Sequence, residues 1–241
     1  MILGFVSDAH GNPDGLSGCL AALRDARVER LYFLGDAVGY MPGENAVLEL
    51  LAASGAIPVL GNHEAMLLGT LELPGARDRV YRIGEARKRI EPRWHAWIET
   101  WPVELPIVVD GVRLLLVHGS PADPLGGYVY PDSSLDSFHA LPYDVVLMGQ
   151  THRPFTARAG DVSVVNVGSS GMPRDAGHLA SCAVYDTATR TAEILRVPFD
   201  ADAVAAKVEG QVDPSVSAML RRTSPGPVVG RLVDSLLGRD S

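Results

Sequence analysis

Three short apolar runs near the N-terminus, Ile2 to Val6, Leu31 to Leu34 and Ala56 to Leu60, alternate with two stretches of helical spacing. Short apolar runs bounded by turn residues read as buried strands. Between the first two, Asn12 is an N-cap with Pro13 at the first helical position, and Leu16, Leu20 and Leu23 share one face of a helix reaching Ala26. The second helix runs from about Glu44 to Ala53, with Val47, Leu48, Leu50 and Leu51 available for burial. A βαβαβ alternation of this kind favours parallel strands joined by helical crossovers.

Beyond residue 64 the pattern loosens. Trp94, Trp97, Ile98 and Trp101 form a buried helical face, with His95 on the exposed side. From Val103 the chain turns to β. Val103–Val109 and Val112–Val117 flank Asp110-Gly111, a strong hairpin signal. A short helical stretch spans Ser134 to Ala140, and further strands are expected at Val145–Met148, Val162–Val167, Ala180–Asp186 and Ala192–Val197. Ala201–Glu209 and Val228–Leu237 read as surface helices. They make 199–241 a helical appendage on a core of 1–198, within a single domain 1–241.

Composition narrows the functions. No apolar stretch approaches the ~18 residues that span a bilayer, and the N-terminus lacks the basic region and cleavage site of a signal peptide. The expectation is a soluble, cytoplasmic protein whose two cysteines, Cys19 and Cys182, are reduced packing residues. A net charge of −8 argues against a long nucleic-acid partner. It leaves a small anionic substrate open, because bound cations would reverse the charge locally. Nothing in the sequence sets an oligomeric state.

Five apolar runs each end in a small polar motif: Asp8/His10, Asp36, Asn62/His63, His118 and Gln150/His152. Asp8 and His10 are two apart, so at a strand end both can point the same way. Ligand-binding residues of α/β sheets gather outside the carboxyl ends of strands. Carboxylate and imidazole converging there can chelate a divalent cation. Gly35, Gly61, Gly119 and Gly149 fit chains that turn sharply near a ligand.

The ordered set Asp8-x-His10, Gly35-Asp36-x-x-Gly39, Gly61-Asn62-His63-Glu64, His118-Gly119 and Gly149-x-Thr151-His152 resembles the calcineurin-like metallophosphoesterases. Within them it is similar to the small prokaryotic phosphodiesterase-type branch, over roughly residues 1 to 198. The resemblance implies an α/β (α+β) fold: a four-layer αββα sandwich of two mixed β-sheets flanked by helices, with a dinuclear metal centre at the strand ends. It assigns Asp8, His10, Asp36 and His152 to a first metal and makes Asp36 the bridge to a second, completed by Asn62 and His118. The ions would be Mn²⁺ foremost, with Fe, Zn²⁺, Ni²⁺ or Mg²⁺ as alternatives. A metal-bridging hydroxide would attack phosphorus in line. His63 would act on the leaving oxygen as acid or transition-state donor, oriented by Glu64.

One position departs from the family pattern. Where a second metal-ligating His is usual, this chain has Gln150. A carboxamide oxygen can bind Mg²⁺ or Mn²⁺ but is a weaker ligand for Zn²⁺. Two readings stay open: a looser or metal-selective second site, or a Gln150 that binds through water with little consequence. Candidate substrate contacts are Asn12, Arg153, Arg174 and Tyr128, with Tyr130 beside it. Arg153 serves equally as a surface salt bridge, and the two tyrosines as loop packing. His139 and His178 match no motif and read as structural.

The implied activity is hydrolysis of small, nucleotide-like phosphodiesters. The alternatives are a phosphomonoesterase, a dinucleoside polyphosphate hydrolase, or a metal-binding scaffold that has lost the chemistry. The acidic charge and the absence of a long capping domain disfavour a DNA exonuclease.

Overall fold

The computed structural model describes residues 1–223 and 226–233. Its first unit is β1 (Ile2–Val6), α1 (Pro13–Asp25), β2 (Arg30–Phe33), α2 (Glu44–Ala53) and β3 (Ile57–Pro58). β1 pairs parallel with β2, and β2 with β3. Asn12 caps α1, its side chain accepting the Gly15 N–H at 3.3 Å. β3 is shorter than its apolar run, because Pro58 offers no N–H and the Leu60 N–H donates to the Pro102 carbonyl at 2.7 Å.

Four short helices follow: α3 (Asn62–Leu68), α4 (Gly75–Tyr81), α5 (Ile83–Arg89) and α6 (Pro92–Ile98). Trp94, Ile98 and Trp101 are buried in one cluster with Phe33 and the inner faces of α1 and α2, while Trp97, expected on the same buried face, is only partly buried against it. The second half supplies β4 (Glu104–Val109), β5 (Val112–Val117), a 3-10 turn at Asp136–Phe138, β6 (Val145–Met148), β7 (Phe155–Ala159) and β8 (Val162–Asn166). After these come β9 (Leu179–Asp186), β10 (Thr191–Pro198), α7 (Ala201–Val208), α8 (Pro214–Leu220) and β11 (Arg231–Leu232). The β4–β5 hairpin turns through Asp110 and Gly111, both at positive φ (51° and 77°), as a two-residue hairpin turn of the Asp-Gly kind requires.

The strands form two mixed sheets, ordered β11-β10-β9-β1-β2-β3 and β4-β5-β6-β8-β7. They stack face to face, and Leu3, Phe5 and Leu34 of the first meet Leu114, Leu116 and Leu147 of the second in a buried layer. Alternation along β1 sends Val6 to the opposite face, under α1. The fold is therefore mixed α/β with two mixed sheets and helices. The outer face of the second sheet packs beneath Val129 and Phe138. There the expected Ser134–Ala140 helix is only the 3-10 turn. None of the described helices is long and apolar enough to cross a membrane.

The C-terminal part departs most from expectation. α7 forms as expected, but it packs with α8 on Tyr40, Met41 and Met172, which flank the strand-end loops. The stretch read as a helix from Val228 to Leu237 instead places Arg231–Leu232 parallel to β10; its residues 234–237 lie outside the described part. The open edge of β10 supplies backbone partners that local helical spacing does not register. β7 is likewise unannounced, because the exposed Thr156 and Arg158 alternate with its apolar positions and interrupt the apolar run of an edge strand.

Candidate metal centre

The ends of β1, β2, β3, β5 and β6 deliver Asp8/His10, Asp36, Asn62/His63, His118 and Gln150/His152 to one rim. Asp8, His10, Asp36, His63, His118 and His152 are all buried. The chain leaves the strands through left-handed backbone: φ is 52° at Asp8, 46° at His10, 62° at Asp36, 66° at Gln150 and 56° at His152. Such conformations cost side-chain-bearing residues about 1 kcal/mol or more each and persist only where neighbours over-determine them. Here the loops interlock. The Asp8 N–H donates to Gly35 O at 2.9 Å, the His10 N–H to Asp36 O at 3.0 Å, and the Gly149 N–H to His118 O at 3.0 Å. A Cβ on Gly35 would stand 2.6 Å from the Gly61 nitrogen, so only glycine lets these two loops meet.

Backbone carbonyls fix the imidazoles. Nδ1 of His10 lies 3.2 Å from Val38 O, that of His118 2.7 Å from Leu34 O, and that of His152 2.7 Å from Met172 O. A carbonyl only accepts, so each Nδ1 carries a hydrogen and each ring turns its Nε2 inward, where it offers a lone pair once that nitrogen is unprotonated. Nε2 of His10 and of His152 then face each other at 3.0 Å. Asp8 Oδ1, buried and without a hydrogen-bond partner among the described residues, lies 3.7 and 3.2 Å from them. Asp36 Oδ2 is 3.6 Å from His10 Nε2 and 3.4 Å from His118 Nε2. Around His118 Nε2 also stand Asn62 Oδ1 at 3.1 Å and Gln150 Oε1 at 3.3 Å. Converging lone pairs repel unless a positive charge sits between them. Donors about 2.1 Å from one ion stand about 3 Å apart, so these residues fit divalent cations.

The electrostatics agree. Burial would raise the Asp8 carboxyl, but the His152 and His118 imidazoles outweigh it and hold it below the usual range. Asp36 is lowered against burial by His118 and His63. Burial pushes His10 and His63 down. Burial also lowers His118, but Asp36 and Asp8 prevail and bring it up to about 10. The rim draws in positive charge.

Glu64 does not orient the His63 ring. Its carboxylate accepts N–H groups from Asp36 at 2.7 Å, Ala37 at 2.8 Å, Val38 at 3.1 Å and Gly61 at 3.1 Å, and so clasps the loop that carries Asp36. Burial and the Asp36 charge push it up to about 7. The His63 ring is held by aromatics instead: Tyr40 stacks on it at 5.1 Å and Tyr81 packs at 4.8 Å. Sequence reasoning missed both. Tyr40 follows the Gly35–Gly39 motif directly, whereas Tyr81 sits in a stretch with no readable pattern.

Asn12 is buried with its amide engaged within the fold, its Oδ1 capping α1 and its Nδ2 donating to Gly171 O at 2.8 Å. Arg153 lines a cavity of about 350 Å³ with Pro131, Asp175 and Val229, none of them metal-type donors of this rim. Arg174 donates its N–H to His152 O at 3.1 Å. Its Nη2 reaches the Tyr40 hydroxyl at 3.4 Å, and its Nε is buried without a partner among the described residues. Tyr128 is 48% exposed and stacks on Tyr130 at 6.0 Å. His139 and His178 are exposed and outside the cluster.

Comparison with known proteins points the same way. The chain is 26% identical over 220 residues to an uncharacterized protein of Methanocaldococcus jannaschii, covering 83% of this chain and 88% of that one. It superposes on a metallophosphoesterase from Sphaerobacter thermophilus with a TM-score of 0.77 at 25% identity, over 91% of this chain and 98% of the other. A hypothetical protein from Pyrococcus horikoshii shares the fold, with a TM-score of 0.81 at 20% identity over 93% and 99% of the two chains. Residues 1–190 match the calcineurin-like phosphoesterase superfamily domain, and the chain belongs to that superfamily.

Proposed function

We propose that this chain is a two-metal phosphoester hydrolase of small, nucleotide-like phosphodiesters. One observation carries the reading: a single oxygen, Asp36 Oδ2, stands within 3.6 Å of His10 Nε2 on one side and 3.4 Å of His118 Nε2 on the other. Asp8, His10 and His152 would hold one ion with Asp36; Asn62, His118 and Gln150 would hold the other with it. Divalent ions bound there, Mn²⁺ foremost, supply Lewis acidity toward phosphoryl oxygens and acidify water.

The remaining roles fall to the chain's own groups. His63, packed against both Tyr40 and Tyr81 with Nε2 3.9 Å from Asp36 Oδ2, acts on the leaving oxygen as acid or as hydrogen-bond donor in the transition state. Arg174, whose Nη2 stands 3.4 Å from the hydroxyl of the Tyr40 that packs on His63, brings its guanidinium to a phosphate oxygen in a charge-assisted bond. The exposed faces of Tyr128 and Tyr130 stack on a base or aryl group. The C-terminal helices stay with the core as one cytoplasmic domain, because α7 and α8 pack on the site-flanking Tyr40, Met41 and Met172.

The test is hydrolysis of bis-p-nitrophenyl phosphate against p-nitrophenyl phosphate, on metal-stripped protein with Mn²⁺ restored. Diester hydrolysis that vanishes in Asp36→Ala and His63→Ala is expected. Preference for the monoester would make the chain a phosphomonoesterase, and no hydrolysis with any divalent ion would leave a metal-binding scaffold.

A further inference from the structure

We infer that the second metal position of this chain is an oxygen-rich site selective for hard divalent ions, and that the 119–127 loop makes it so by locking the Gln150 carboxamide with its oxygen inward. The inference rests on the two-metal reading above and deepens it.

The orientation of Gln150 is set by its neighbours. Its Nε2 lies 2.8 Å from Leu125 O. A carbonyl cannot donate, so the amide nitrogen must face Leu125, and a flipped amide would set two oxygens against each other. Oε1 is thereby left 3.3 Å from His118 Nε2, within the donor cluster. Leu125 is itself held. The Gly119 N–H donates to Pro124 O at 2.7 Å, the Gly127 N–H to Asp123 O at 3.0 Å, and the Gly126 N–H to Asp123 Oδ1 at 2.9 Å. At its other end Gln150 is pinned by its own N–H on Asp8 Oδ2 at 3.1 Å.

The two donor sets therefore differ in kind. The first has two imidazole nitrogens with the Asp8 and Asp36 carboxylates. The second has one imidazole with three oxygens, from Asp36, Asn62 and Gln150, and Asp36 alone brings charge. Imidazole suits Zn²⁺, Fe and Ni²⁺, whereas carbonyl and carboxylate oxygens suit Mg²⁺ and Mn²⁺. With less charge and fewer nitrogens, the second position binds more weakly and discriminates less in favour of Zn²⁺ than the first. The two ions enter in unequal steps.

Calorimetric titration of metal-stripped protein with Mn²⁺ and, separately, with Zn²⁺ reads this directly and needs no turnover. Wild type should show two unequal Mn²⁺ steps. Loss of a single outer partner of a ligand already changes metal affinity about 10–100-fold. Gln150→His should accordingly raise the second-step preference for Zn²⁺ over Mn²⁺ by about tenfold or more. Gln150→Leu should weaken or abolish the second step while the first persists, which also reports an intact fold. Gln150→Glu, which keeps an oxygen and adds charge, should retain both Mn²⁺ steps. If Gln150→Leu loses both steps, Gln150→Glu decides, and its failure to bind two ions overturns the inference. So does a single step in wild type, an unchanged second step in Gln150→Leu, or an unchanged Zn²⁺ preference in Gln150→His. Two-step binding without hydrolysis would instead sink the proposed activity and leave the inference standing.

Discussion

The strands that end at the metal-type cluster begin at the opposite rim, and the two rims carry their charges in contrasting ways. Where β1, β5 and β6 begin, charges meet in or near water: the Met1 amino group lies 2.9 Å from Asp110, and Arg113 lies 3.0 Å from Asp144. Arg113 and Asp144 also line a cavity of about 400 Å³ with Arg158, Asp161 and Arg190. Where these strands and their neighbours β2 and β3 end, Asp8, Asp36 and four imidazoles are buried. Lone pairs face one another there, and five of the rim residues take left-handed backbone. Solvent-exposed pairs tolerate loss of either partner because water replaces it. Buried donors held against one another have no such replacement, so that rim stays in shape only through interlocked loops, and it has a use for a cation.

Substitutions at the two rims should differ accordingly. Asp36→Ala removes the oxygen shared by both donor sets, so bound metal after desalting and diester hydrolysis should both fall to background; retention of two ions would break the contrast. His63→Ala should lower kcat by about 10²–10⁴-fold while metal content stays at the wild-type level, and a parallel loss of metal would recast His63 as a ligand. Glu64→Ala leaves the N–H groups of Asp36, Ala37, Val38 and Gly61 without their acceptor. It should cost about 3 kcal/mol in urea denaturation and weaken metal binding as the Asp36 loop loosens.

Asp144→Asn, at the strand starts, should leave hydrolysis unchanged and shift the urea midpoint least of all. Hydrogen bonds from the Arg113 side chain and backbone N–H hold the Asp144 carboxyl below its ordinary value of 3.8. A carboxyl depressed in the folded state stabilises above its unfolded pKa and loses that contribution as pH falls through the folded one. Any small wild-type advantage over Asp144→Asn should therefore be present at neutral pH, disappear below 3.8, and shrink with added salt. A midpoint shift as large as that of Glu64→Ala would mean that the strand starts are as over-determined as the ends.

Much of this was legible in the chain itself. The spacing of apolar residues announced β1, α1, β2 and α2, and Asp110-Gly111 announced its hairpin, because periodicity and turn chemistry act over a few residues. Once β1, β2 and β3 run parallel in one sheet, and β5 and β6 in the other, their ends must lie at common rims. Five polar motifs at five strand ends were thus enough to name the cluster. Other features depend on partners far away in sequence. The carbonyls of Leu34, Val38 and Met172 decide which ring nitrogen faces inward. Leu125 decides which way Gln150 points, and Glu64 clasps the Asp36 loop instead of steering His63. The edge strands β7 and β11 form because neighbours supply their hydrogen bonds. Residue type and spacing determine which atoms can bind; the direction of each atom is decided only when carbonyls and amides from distant loops close around it.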